Sequence, residues 1–210
     1  QGDAQARKVL GEAYRFGRFG LATNLVEAVK WYRKAAEQNF AEAQVTLGVC
    51  YYYGQGVATN YVEAVKWYRK AAEQGDPQGQ NRVGNCYAEG LGVAQDYAEA
   101  VKWYRQAAEQ GNATAQFNLG VMYEHGDGVP QDYGEALKWY RRAAQQNNAV
   151  AQFNLGQCYY NGQGVIDGWE EYAWMMRSGE PKGLRDLVGR ATFAGVCTWS
   201  RGGGWKDGLK

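Results

Sequence analysis

Few side chains in this chain of 210 residues could carry out a reaction. His125 is the one histidine; it follows Glu124 and stands two residues before Asp127. Ser178 and Ser200 are the only two serines. A hydroxyl or thiol nucleophile needs a base within hydrogen-bond reach, so a Ser-His or Cys-His pair would have to use His125. Neither serine opens the Ser-x-x-Lys motif on which serine β-lactamases depend. Glu124, His125 and Asp127 are of metal-ligating types but lack a regular ligand spacing, and a solvated helix end is the simpler reading. Glycine pairs such as Gly54-Gln-Gly-Val57 connect helix to helix and lack the lysine of a phosphate loop. The expectation is no catalytic residue, no metal and no cofactor.

The elements that position these residues follow a period. Trp31, Trp67, Trp103 and Trp139 recur every 36 residues, and the segment Glu63 to Gln74 returns nearly unchanged at Glu27 to Gln38, Glu99 to Gln110 and Glu135 to Gln146. Such self-similarity marks stacked supersecondary units. Cys50, Cys86 and Cys158 share one repeat position, which puts each in a different layer. Neighbouring helix axes lie about 8 to 10 Å apart and equivalent helices further still, whereas a disulfide needs Cα atoms within about 7 Å. Buried free thiols are therefore predicted; Cys197 falls outside the array.

Within the second repeat, Ala43, Leu47 and Tyr51 recur at a spacing of four and mark one face of a helix. Gly48 would cost such a helix about 1 kcal/mol against alanine, so its return as Gly11, Gly84, Gly120 and Gly156 points to a crossing too close for a side chain. Gly54 suits the left-handed position after a helix end. A second helix opens with Asn60 and Glu63, a pair resembling a capping box, and the pairing repeats at Asn24 with Glu27, Asp96 with Glu99, Asp132 with Glu135 and Asp167 with Glu170. Ala64, Trp67, Tyr68, Ala71 and Ala72 form its apolar stripe. Hairpins are expected near residues 42–53 and 61–74, with Trp103 held between helices and little of its ring in water.

Lysine and arginine total 23 against 22 for aspartate and glutamate, so no net field attracts nucleic acid. No apolar run approaches the roughly 18 residues that span a bilayer. Gln1-Gly-Asp matches the seam at Gln74-Gly-Asp, so the sequence opens mid-array and leaves localisation unknown.

The pattern Ala-x-Ala-Gln-x-x-Leu-Gly-x-x-Tyr, then Gly-x-Gly-Val, then Asp/Asn-Tyr-x-x-Ala-x-x-Trp-Tyr-x-x-Ala-Ala-Glu-Gln-Gly resembles the Sel-1-like repeat family, a relative of the tetratricopeptide repeats, over about residues 4–177. The resemblance implies an all-α, right-handed α-solenoid of four full repeats and a degenerate fifth over residues 1–180, with a Gly-rich tail or capping segment at 181–210. The first repeat departs by one extra turn residue, Gly17-Arg-Phe-Gly-Leu21, and the fifth carries Glu171 where the second has Ala64. Leu184, Leu187, Val188 and Ala191 could face one side of a short capping helix.

The function implied is a monomeric, non-catalytic scaffold holding a protein or peptide segment on a concave face lined by the first helices. By analogy with tetratricopeptide geometry, that face selects Tyr52, Tyr53, Asn81, Asn85, Phe117, Phe153 and Tyr160, with Asn118 close by. Aromatics supply anchor area, and asparagines can donate to and accept from an extended backbone. The basic residues of carboxylate-clamping relatives are mostly missing, Arg82 excepted, which favours backbone and apolar recognition. Three alternatives stand beside this reading: aromatics that only seal the seam between layers, a regulatory or targeting region of a longer enzyme or secreted effector, and a β-lactamase-like hydrolase. The last is raised by cysteine-rich bacterial relatives linked to penicillin binding, whose paired cysteines this chain lacks.

Overall fold

The structure, a computed structural model, describes residues 2–164. Among them all regular structure is helical: α1 (Gly2–Phe16), α2 (Leu25–Ala36), α3 (Ala41–Tyr53), α4 (Tyr61–Glu73), α5 (Pro77–Glu89), α6 (Tyr97–Glu109), α7 (Ala113–His125), α8 (Tyr133–Gln145) and α9 (Ala149–Asn161). This is the all-α array of helix-turn-helix repeats that the period predicts. Two compact units divide the chain, one through Ala115 and one from Gln116. The second helix expected for the fifth repeat, the boundary at residue 180, the capping segment and Cys197 lie outside the described residues.

In the first unit each helix packs on the next, from α1 through α6. Tyr32 and Tyr68 are buried to about 1% and 0% exposure and centre the hairpin cores. Each ring lies against a glycine of the hairpin's first helix: a Cβ added at Gly11 or Gly48 would meet Tyr32 or Tyr68 at 2.5 Å. The glycine predicted to permit a close crossing thus admits a ring. Gly54 and Gly90 end α3 and α5 in the left-handed conformation, both with φ 70°. Gly56, two residues on, sits over the preceding repeat, where a Cβ would come within 2.2 Å of the carbonyl oxygen of Leu25.

The second helices begin as expected on Asn24, Asn60 and Asp96, whose side chains accept from the backbone N–H of Glu27, Glu63 and Glu99 at 3.1, 3.0 and 3.0 Å. The reciprocal half of the capping box is replaced. The cap residue's own N–H donates instead to the first helix, Asn60 to the carbonyl of Tyr51 at 2.9 Å and Asp96 to that of Tyr87 at 3.0 Å. Glu63, released from that task, pairs with Lys66 at 2.5 Å.

A buried glutamine seam joins successive hairpins. Gln44, 1% exposed, donates from Nε2 to the carbonyl of Ala36 at 3.1 Å and accepts at Oε1 from Gln74 at 2.6 Å. Gln80 repeats the arrangement with Ala72 at 3.4 Å and Gln110 at 2.8 Å. Each glutamine gives a second donor to a carbonyl at the end of one hairpin's second helix, which also accepts from the Asn39 or Gly75 N–H of the following turn, and ties it to the next hairpin. Arg33 and Arg69 add a further link by donating to the hydroxyls of Tyr51 and Tyr87.

The second unit shows the same chemistry within itself. Tyr140 and Leu155 centre a core with Ala136, Leu137, Ala151, Cys158 and Tyr159, and a Cβ at Gly120 would meet the Tyr140 ring at 2.6 Å. Asp132 caps α8 through the N–H of Glu135 at 3.0 Å, and Gln146 donates to Gln116 at 2.8 Å. Cys50, Cys86 and Cys158 are buried free thiols, as the spacing predicts. Trp67 and Trp139 are 8% and 9% exposed, but Trp103 is only partly buried against the core of its neighbours. Lys70 lies 4.2 Å from the centre of the Trp67 ring; at the matching place beside Trp103 stands Gln106.

Candidate functional site

The four candidate residues of the first unit lie on two first helices, α3 and α5, which touch each other. Tyr52 and Tyr53 close α3 with their rings edge to face at 4.8 Å, and Tyr61 meets Tyr52 in the same way at 5.2 Å. The hydroxyl of Tyr52 reaches across to α5 and donates to Glu89 at 2.7 Å. Burial, then the bond to Glu89, raises the proton affinity of Tyr52, so the phenol stays neutral. Tyr53 remains 57% exposed and presents the free aromatic surface of the group.

Asn81 and Asn85 share α5 but not their surroundings. Asn81 is 3% exposed and belongs to the interior, whereas Asn85 is half-buried and accepts at Oδ1 from the hydroxyl of Tyr104 at 2.9 Å. That bond sets the orientation of the Asn85 amide. Spacing alone places both on one helix; only the packing of the adjacent helices separates them.

On the same helix row, Lys8 of α1 is 8% exposed and pairs with Glu12 at 2.9 Å and with Glu42 of the next repeat. Burial opposes its charge, yet the hydrogen bonds to Glu42 and Glu12 outweigh this and raise its pKa. Arg15 bridges the same pair of repeats through Gln55 at 3.0 Å. The Lys8–Glu12 pair follows from a spacing of four on one helix, whereas the links from Lys8 to Glu42 and from Arg15 to Gln55 come from hairpin stacking and cannot be read from spacing.

In the second unit, Phe117 lies partly buried and stacks on Tyr140 with ring centres 5.7 Å apart. Asn118 is half-buried. Phe153 and Tyr160 of α9 are 63% and 71% exposed. The hydroxyl of Tyr140 donates to Glu124, and burial together with that bond raises its proton affinity. His125, exposed at the end of α7, has Nδ1 3.1 Å from the carbonyl of Val121. Among the described residues, no group of three or more His, Cys, Asp or Glu side chains is placed to hold a metal ion.

These surfaces therefore offer neutral phenols, amides, aromatic faces and paired charges. Their strengths are hydrogen bonding and apolar contact. Burial keeps the nearby thiols protonated, Cys50 at about 11 and Cys86 and Cys158 at about 12.

Comparison with known proteins agrees with the repeat boundaries. The Sel1 repeat model matches residues 4–40, 41–76, 77–112, 113–148 and 149–167. A Sel1 repeat protein from Oxalobacter formigenes is 39% identical with a TM-score of 0.73, over 84% of this chain and 73% of its own. A protective antigen of uropathogenic Escherichia coli with an SLR fold is 32% identical with a TM-score of 0.74, over 97% of this chain and 50% of its own. A Sel1 repeat protein from Klebsiella pneumoniae, 22% identical with a TM-score of 0.56 over 95% of this chain and 93% of its own, shares the fold. No curated protein matches.

Proposed function

Because the chain belongs to the Sel1 repeat family, whose members are generally protein-interaction scaffolds, we propose that it holds an extended peptide or protein segment along the concave face of its first helices. The fold is typically a non-catalytic scaffold, and among the described residues no helix is long and apolar enough to cross a membrane. The observation that carries the reading is the Tyr52–Tyr53 pair. Tyr52 is anchored by Glu89, and it holds against its edge a tyrosine that is 57% exposed. An aromatic presented on a fixed support makes a low-entropy contact for a partner. Asn85, its Oδ1 engaged by Tyr104, adds a half-buried amide of fixed orientation on α5. Phe153 and Tyr160 supply equivalent anchors in the second unit.

The test begins with a phage-displayed random peptide library selected on the full chain. Synthetic versions of the recovered sequences are then measured against single variants. Tyr53→Ala, Tyr52→Ala and Asn85→Ala should each weaken binding about tenfold, near 1.4 kcal/mol, while Val62→Ala on α4 should leave it unchanged. Undiminished affinity in all three, with helical content intact, would remove the reading.

A further inference from the structure

The turn after α1 is one residue longer than the turns that follow α3, α5 and α7, and it carries an unusual pair of aromatics. Phe19 is 80% exposed and Phe16 is 56% exposed. Phe19 also has φ 56°, in the left-handed region. Among the described residues the other non-glycine residues with positive φ are Asn39 and Asn147, a type that tolerates that region. A phenylalanine there is unfavourable twice over, in its backbone and in its exposure. The turn is pinned on both sides of it: Arg18 N–H donates to the carbonyl of Ala13 at 2.9 Å, and Leu21 N–H to that of Arg18 at 3.1 Å. Backbone strain held in place by its surroundings is a mark of a working surface.

The charges beside these rings have one sign. The guanidinium groups of Arg15 and Arg18 lie 5.3 and 5.1 Å from the centre of the Phe16 ring. Arg15 is bonded to the uncharged Gln55, and Arg18 enters no ion pair with a described residue. The adjacent carboxylate, Glu12, is already held by Lys8 at 2.9 Å. Two cations are too few to bind an anionic bilayer, which calls for clusters of about four or more, but they suit the carboxylates of one polypeptide segment.

We propose that this turn docks an acidic segment of another protein, whose bulky apolar side chain packs on Phe19 and Phe16 and whose aspartate or glutamate accepts hydrogen bonds from Arg18 and Arg15. The site uses residues outside the Tyr52–Tyr53 group and stands independently of it.

The probe is again a random dodecapeptide library on phage, selected in parallel on the full chain and on its Arg18→Glu variant. Sequences recovered from the unaltered chain alone should combine aspartate or glutamate with tryptophan, phenylalanine or leucine. The most enriched synthetic peptide should bind Arg18→Glu and Phe19→Gly at least tenfold more weakly and Tyr53→Ala unchanged. Its amide version, with Asn and Gln for the acids, should lose tenfold on the unaltered chain and little more on Arg18→Glu. Phe19→Gly serves as the folding control, since glycine relieves the left-handed strain: its melting temperature should rise while binding falls. Identical sequences from both selections, an enriched set without acidic residues, or full affinity in Phe19→Gly would overturn the proposal. So would phosphatidylserine vesicles that bind the chain and are released by Arg18→Glu, which would assign the turn to a membrane surface.

Discussion

A Cβ placed on Gly48 would stand 2.5 Å from the ring of Tyr68 and 3.2 Å from the carbonyl oxygen of Ala64, so this pair of residues sets how closely α3 and α4 approach. Gly48→Ala therefore brings two opposing effects. Alanine favours the helix by about 1 kcal/mol, while forcing a buried ring aside costs about 1 to 3 kcal/mol. The ring is 0% exposed and surrounded by core, so the second effect should win. Urea unfolding of Gly48→Ala should show a lower midpoint than the parent; an equal or higher one would mean that the ring relaxes freely.

The second-helix caps give a prediction that separates two roles of one motif. Asn60 binds the N–H of Glu63 at 3.0 Å, and Glu63 pairs with Lys66 on an exposed face. Asn60→Ala should lose about 0.5 to 2 kcal/mol. Lys66→Gln should change stability by no more than about 1 kcal/mol, as exposed pairs do. Equal losses in the two variants would show that the ion pair, and not the cap, holds the start of α4.

Gln44 is a stringent probe of the seam between hairpins. Replacing it with leucine keeps the apolar stem but removes its bonds to the Ala36 carbonyl and the Gln74 amide, at 3.1 and 2.6 Å, leaving each with one partner, the Asn39 N–H and the Lys70 carbonyl. A hydrogen bond lost in this way costs about 0.5 to 1.5 kcal/mol. Gln44→Leu should therefore melt earlier than the parent, and faster amide exchange should appear first in α2 and α3. An unchanged melt would show that the seam contributes no net stability.

The repeat period made the hairpins legible: residues 42–53 and 61–74 were expected, and α3 and α4 run Ala41–Tyr53 and Tyr61–Glu73. Local chemistry likewise announced Gly54 as a left-handed helix end and Asn60 as a cap. What the period does not carry is the contact made by the neighbouring layer. Glu63 has the spacing of a capping-box acid, but the Asn60 N–H it would accept from is taken by Tyr51 of the first helix. Trp103 has the spacing of a core residue and is only partly buried. Asn81 and Asn85 have equal claims by position, yet one is interior and the other half-buried. The burial of Gln44 was written in the Ala-x-Ala-Gln motif only as a recurrence, since its partners come from two different hairpins.

Alkaline conditions should weaken the fold through the thiols. Burial raises Cys50 from 9.0 to about 11 and Cys86 and Cys158 from 9.0 to about 12. The folded chain keeps protons that the unfolded chain releases, so this stabilisation is complete below about pH 9 and is lost as pH rises through 11 to 12. The buried tyrosines Tyr68, Tyr104 and Tyr140 are shifted upward by burial and act in the same sense. Denaturation midpoints should therefore fall between pH 8 and pH 10.5. At pH 8, iodoacetamide should label these three cysteines far more slowly than it labels them in urea; labelling at the rate of a free thiol in the folded chain would contradict their burial.

The location of the bound segment is tested most directly by amide chemical-shift mapping of the full chain with a library-selected peptide whose affinity depends on Tyr53. The proposed face predicts shifts at Tyr52, Tyr53, Asn85 and Glu89, with Val62 and Lys66 on α4 unmoved. Shifts confined to the second helices α4 and α6, with the ends of α3 and α5 silent, would contradict it.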